Sequence, residues 1–269
     1  LGFVGGGMIA EAYNWRIALV SVGAPGLLLA VVMARSLREP ARGTFETETP
    51  PPPPPILTTA ATMWANPAMR HLIAGSVVAG LMSYGLTQWL PTFFIRVHDL
   101  NQSQTGMLMA GVFGIPGSIG ALAFGKWFDR LSHRGFQHGI WMLAVVPFAT
   151  LPFFIAGLLA DNLVTAIVLF IIPGFAANYV IGPTIAMVQT LSPVQMRAVS
   201  SAIMMLCLNL VGMGLGPLLV GLLSDLLTPQ HGEDALRVAL AFFTLVGLWG
   251  TVHFWLCGRA LAKQQLDTA

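Results

Sequence analysis

The stretch "FGKWFDRLSHRGFQHG" (124–139) sets Lys126, Arg130 and Arg134 around one carboxylate, Asp129, between two almost wholly apolar segments. A lone carboxylate among cations is not an acid–base pair. It can hold an ion pair, or bind a helix N-terminus, whose free N–H groups carry partial positive charge. A second group is uncharged and sits inside apolar runs: Tyr84, Gln88 and Trp89, then Asn178 and Tyr179, then Asn209. Tyr84 and Gln88 are four apart and share a helix face. Amides and phenols are costly in an apolar medium unless they are paired or face a wet cavity. Lying on several helices, they are candidates for lining one polar cavity, where they would hydrogen-bond a solute. Helix-to-helix hydrogen bonding is the ordinary alternative for each alone.

Equipment for covalent catalysis is missing. The chain has no His-Glu-x-x-His, Gly-x-Ser-x-Gly, Walker loop or Cys-x-x-Cys. In "HGEDALR" (231–237) a histidine meets two carboxylates, but just before a helix, where Glu233 or Asp234 as an N-cap explains them better than a metal. A membrane enzyme would need His, Asp or Cys clustered at one depth, and no such cluster is present. Neither an enzyme nor a cofactor or metal is expected.

The elements that must position these residues follow from composition. Of 269 residues, 55% are hydrophobic and 9% charged, and mean hydropathy is +0.75. Soluble domains carry roughly 25% charged residues, so the class is an all-α membrane bundle whose outside faces the lipid bilayer. Net charge is +2, too small and scattered for a nucleic-acid partner. Cys207 and Cys257 lie in apolar runs and are uninformative about redox compartment.

A spanning helix takes about 20 mostly apolar residues. A partial span covers about 1–12, and full spans cover roughly 17–34, 71–95, 106–125, 139–160, 162–188, 199–223 and 236–257. The opening "LGFVGGGMIA" lacks a basic signal region and reads as the end of a helix. Alternating the connections puts Arg16, Arg96 and Arg237 on one side. The other holds ten cations: Arg35, Arg38, Arg42, Arg70, Lys126, Arg130, Arg134, Arg197, Arg259 and Lys263. That second side, with the C-terminus, is expected to be cytoplasmic in a multi-pass protein of the inner (plasma) membrane. Six prolines, 50–55, are expected to form an extended spacer. Residues 1–34 then close one bundle, 35–70 link, 71–258 form a six-helix unit and 259–269 a tail. Glycines at 212 and 216, and at 111, 114, 117 and 120, form stripes suited to close helix packing.

The charged stretch resembles the loop Gly-x-x-x-Asp-Arg-x-Gly-Arg-Arg of the major facilitator superfamily. Gly125, Asp129, Arg130 and Arg134 match it, while Ser132 and His133 replace a glycine and an arginine. The segments 23–43, 84–100 and 182–225 are similar to the spinster-like branch, and the likeness spans nearly the whole chain outside the proline run. The resemblance implies a twelve-helix secondary transporter, present here from the end of helix 5 onward. It implies alternating access, a small or amphipathic, lysolipid-like solute in some members, and coupling to an ion such as the proton in others. It also puts Asp129 near the start of the helix "SPVQMRAVSSA" (192–202), beside Arg197, when the cytoplasmic side is closed. Two alternatives stay open. An organic-anion or sugar-acid carrier would be expected to carry a buried cation, and the spans show none at mid-depth. A half-transporter lacking its other half would be inactive.

Overall fold

The computed structural model describes residues 2–37 and 54–267, and the apolar runs in them are helical, with no strand among the described residues. A helix satisfies its own backbone, which lipid cannot do. Helix α1 (Gly2–Ala12) turns into α2 (Trp15–Ser36), whose start is capped by Asn14 Oδ1 accepting from the Ile17 N–H at 3.0 Å. Helix α3 (Ile56–Ala65) lies inside the segment expected to be linker, and buries Thr59 and Met63. Of the expected proline rod, Pro55 has the extended geometry (φ −53°, ψ 147°). Residues 50–53, and Arg38 and Arg42, lie outside the described residues. Asn66 then caps α4 (Pro67–His98), which has proline in its first turn.

The next helices occupy the expected spans but differ in shape. Helices α5 (Gln102–Met109) and α6 (Ile115–Ser132) are joined by one wide turn, Ala110–Gly114, in which the Ile115 N–H reaches back five residues to Ala110 O. Helix α7 (Phe136–Leu159) is continuous. The span expected at 162–188 is not one helix: α8 (Leu163–Phe175) ends, residues 176–180 turn, and α9 (Ile181–Leu191) resumes. Helices α10 (Arg197–Cys207) and α11 (Gly214–His231) flank a second wide turn, Leu208–Met213, closed by Gly214 N–H on Asn209 O. Helices α12 (Ala235–Thr244) and α13 (Val246–Asp267) complete the chain.

By length and composition, four continuous stretches among the described residues could cross a membrane: Trp15–Ser36, Gln102–Ser132, Phe136–Leu159 and Val194–Gln265, the last long enough for two crossings. Helix α4, with 32 residues, also has the length. Two apolar clusters form the core. One gathers Met63, Leu72, Phe128, Ile140 and Phe254 near the end rich in Lys and Arg. The other gathers Leu90, Phe93, Phe94, Phe170 and Leu240 toward the opposite end. Leu226 and Trp249 instead point outward, as the lipid-facing side of such a bundle requires. Helix α2 buries only Ala18.

Away from the basic end, one cation ties two loops. Arg237 Nη1 lies 3.0 Å from Asp161 and 3.6 Å from Asp234, and Nη2 donates to Ala160 O at 3.4 Å. Asp234 occupies the N-cap position but caps no N–H, so the capping role expected for it is replaced by this ion pair. The Arg237 side chain is 13% exposed while that of Asp161 is 92% exposed. Solvent screens such a pair, so Asp161→Asn should cost under about 1 kcal/mol. Arg237→Ala should cost more, because the buried stem is lost as well. Thermal unfolding of both variants checks that order.

Candidate functional site

The site is built where helices lose regularity. Proline 116 has no N–H for Val112 O, its partner four residues back. That carbonyl faces α8, against Gly174, where any side chain would strike it. Along the same contact a side chain at Gly120 would run into Phe175 O, and one at Gly117 would come within 3.2 Å of Gly174 O and 3.1 Å of Asn178 Nδ2. Helices α6 and α8 therefore touch backbone to backbone. The expected four-glycine stripe is halved, since Gly111 and Gly114 meet no neighbouring helix. The wide turn between the pairs is the reason: one extra residue rotates the face by about 100°.

Helices α4 and α11 approach in the same way. A side chain at Gly212 would lie 3.0 Å from Gly80 C, and one at Gly216 would lie 2.6 Å from Leu81 O. The second wide turn sits at this crossing, and it presents Asn209. Tyr84 Oη donates to Asn209 Oδ1 at 3.5 Å, and Asn209 Nδ2 donates to Met205 O at 2.8 Å. Wide turns occur often at functional sites, and interrupted spans free backbone groups where they line a cavity.

A groove of about 620 Å³ runs between α6 and the α8–α9 break, lined by Ser118, Leu122, Gly125, Asp129, Asn178 and Gly182 among others. It joins residues that the sequence suggests for different tasks: Asn178 for the cavity, Gly125 and Asp129 for the gate. Gln88 is exposed on the face of α4 that also carries Tyr84. Two of the expected lining residues face elsewhere. Trp89 Nε1 donates to Pro217 O at 2.8 Å, which pins α4 to α11. Tyr179 turns into the apolar core and donates to Leu143 O at 3.5 Å, because the break in α8–α9 rotates it away from Asn178.

Asp129, Arg130, Arg134 and Arg197 are all exposed, and among the described residues none of them forms an ion pair. Helix α6 packs on α7, α8 and α9 rather than on α10, so the structure does not bring Asp129 to Arg197. No group of three or more metal-ligating side chains occurs among the described residues. Sequence reasoning missed Ser118, Gly182 and the α8–α9 break; Pro173 and Pro183 on either side of "GFAANYVIG" were the signal for that break.

A smaller pocket, about 280 Å³, lies where α1 meets α5, lined by Gly7, Pro91, Thr105 and Gly106 among others. Gly7 approaches Gln102 O closely enough that a side chain there would sit 3.6 Å away.

The chain is 27% identical over 272 residues to an MFS-type efflux pump of Mycolicibacterium smegmatis (strain ATCC 700084 / mc(2)155), covering 99% of this chain and 61% of that protein. It is 25% identical over 280 residues to protein spinster homolog 1 of Xenopus laevis, covering 94% and 52%. Its fold is similar to crystal structures of a bacterial homolog to the human lysosomal transporter Spinster. The inward-facing, unoccupied form matches with TM-score 0.73 at 19% identity over 97% of this chain and 65% of that one. The inward-facing, occupied form matches with TM-score 0.70 at 18% identity, over 97% and 66%. The chain thus spans between half and two thirds of the length of these relatives. The family model for the Major Facilitator Superfamily matches residues 1–217, and the chain belongs to that superfamily.

Proposed function

We propose that this chain supplies the C-terminal six-helix half, with helix 6 and the end of helix 5, of a secondary transporter working by alternating access. Its basic end faces the cytoplasm of the plasma membrane. The observation that carries this reading is the set of broken helices, α5–α6, α8–α9 and α10–α11, with Asn178 and Asn209 each exposed at a break. Such a surface holds a solute by a few hydrogen bonds within an otherwise apolar wall. No cation sits at mid-depth in it, which favours an amphipathic or uncharged solute over an organic anion. The similarity to spinster proteins supports a lysolipid-like solute and proton coupling as the first conditions to try. Asp129, exposed at the groove mouth, bonds the helix start at Arg197 when the cytoplasmic side closes, and this biases the equilibrium toward that state.

Uptake into proteoliposomes carrying the full-length transporter, across a panel of lysophospholipids and small organic anions, with and without a pH gradient, tests the reading. Lysolipid uptake that collapses with the gradient is the expected result, and uptake confined to the anions would overturn it. Asp129→Asn should slow uptake several-fold and raise labelling of cysteines placed on the cytoplasmic face. Unchanged uptake together with unchanged labelling would remove Asp129 from the gate.

A further inference from the structure

Helices α4 and α13 are zipped together at the basic end. Asn66 Oδ1, which caps α4, accepts from Gln264 Nε2 at 3.2 Å. Five residues further along α4, about 7 Å into the bundle at 1.5 Å per residue, His71 Nδ1 lies 3.0 Å from His253 Nδ1. The two rings are tilted by 34° with centroids 5.3 Å apart, and the Trp249 ring centroid lies 6.0 Å from that of His253. Both imidazoles are half-buried. The seam beyond them is tight: a side chain at Gly75 would lie 3.0 Å from the Phe254 ring, and one at Gly250 would lie 3.4 Å from Gly75 O.

A neutral imidazole offers one N–H and one lone pair. Two Nδ1 atoms at hydrogen-bonding distance therefore require unlike tautomers. One ring carries its proton on Nδ1 and donates; the other carries it on Nε2 and accepts. One further proton can enter at the free Nε2 of the donor ring, which turns the bond into a stronger charge-assisted one. A second cannot enter without placing two N–H groups nose to nose and two positive rings in contact. Arg70 is the charged group beside the pair on α4. Helix α3, packed on the same end of α4, carries no charge, and Arg197 opens α10. Arg259, over the Trp255 ring, and Lys263 lie further along α13, and α7 brings His138, which meets Trp141 edge to face. Among the described residues no carboxylate forms an ion pair with either histidine.

We propose that His71 and His253 form a single-proton binding site that latches α4 to α13: one added proton tightens the latch and a second would open it. Helix α4 also carries Tyr84, so occupancy of the latch bears on the helix that shapes the site. The inference stands on the seam geometry and is independent of which solute is carried.

Nitrogen NMR of the full-length protein, with ¹⁵N-labelled histidine in lipid nanodiscs, tests it. His71→Gln and His253→Gln assign the signals. At pH 8 one of the two rings should be the Nδ1–H tautomer, and between about pH 8 and 5 the pair should take up one proton. Two Nε2–H tautomers at pH 8, or two independent imidazolium ions by pH 5, would overturn the proposal. A second readout covers the case in which a variant folds poorly. An imidazolium beside an indole quenches its emission, so the difference between wild type and Trp249→Phe reports the charge on His253. In His71→Gln the midpoint of that difference should shift and the step should become that of a lone imidazole; an unchanged midpoint would show that the proton is not shared.

Discussion

Alanine at Gly120 is expected to destabilise the bundle far more than alanine at Gly111, although each change adds one methyl group to the same transmembrane span. At Gly120 the added carbon runs into the Phe175 carbonyl, whereas at Gly111 nothing lies within 4 Å. Overfilling a packed interior costs about 1–3 kcal/mol when side chains can move aside. Here the obstacle is main chain, so the value should reach or pass the top of that range. Thermal unfolding of both variants in detergent gives the comparison. Gly111→Ala should be close to wild type, or slightly more stable, because alanine is the better helix former. Equal losses would mean that α6 and α8 do not meet as described. Transport should fall with stability in Gly120→Ala, since the same contact fixes the α8–α9 break that exposes Asn178.

Asn209→Leu should reduce uptake of the solute with little change in folding. The Asn209 amide is exposed on the wide turn between α10 and α11, and Oδ1 receives a single long bond from Tyr84, 3.5 Å. That acceptor keeps capacity for a solute donor. Losing a partner of this kind leaves a polar group unpaired at about 1–3 kcal/mol, equivalent to roughly 5- to 150-fold in affinity. Tyr84→Phe should have a smaller effect, because the bond it removes is already long. The double variant should lose less than the sum if both hydroxyl and amide serve one solute group. Full uptake by folded Asn209→Leu would exclude this asparagine from the site.

The reach of sequence reasoning is clearest at the motif and at the breaks. The all-α membrane class follows from composition and run length, because lipid leaves helices few alternatives. The superfamily was legible in Gly125, Asp129, Arg130 and Arg134, since a charged turn between apolar runs is conspicuous. Span limits came within a few residues for α2, α4 and α7, the last expected at 139–160 and found at Phe136–Leu159, whereas α13 runs to Asp267, well past the expected end at 257.

What the sequence by itself determined is therefore which segments are apolar helices, where charge gathers, and which residues are too polar to be lipid-facing. Tertiary structure decided which way those residues point. Tyr179 and Asn178 are neighbours in the chain, yet one enters the core and the other the groove, because the turn at 176–180 depends on α6 lying against Gly174. Trp89 follows a similar rule, drawn to Pro217 O by the close crossing of α4 and α11. His71 and His253 are 182 positions apart and each unremarkable alone. Only packing α4 on α13 sets their nitrogens face to face, because hydrogen bonding depends on distance in space and not along the chain.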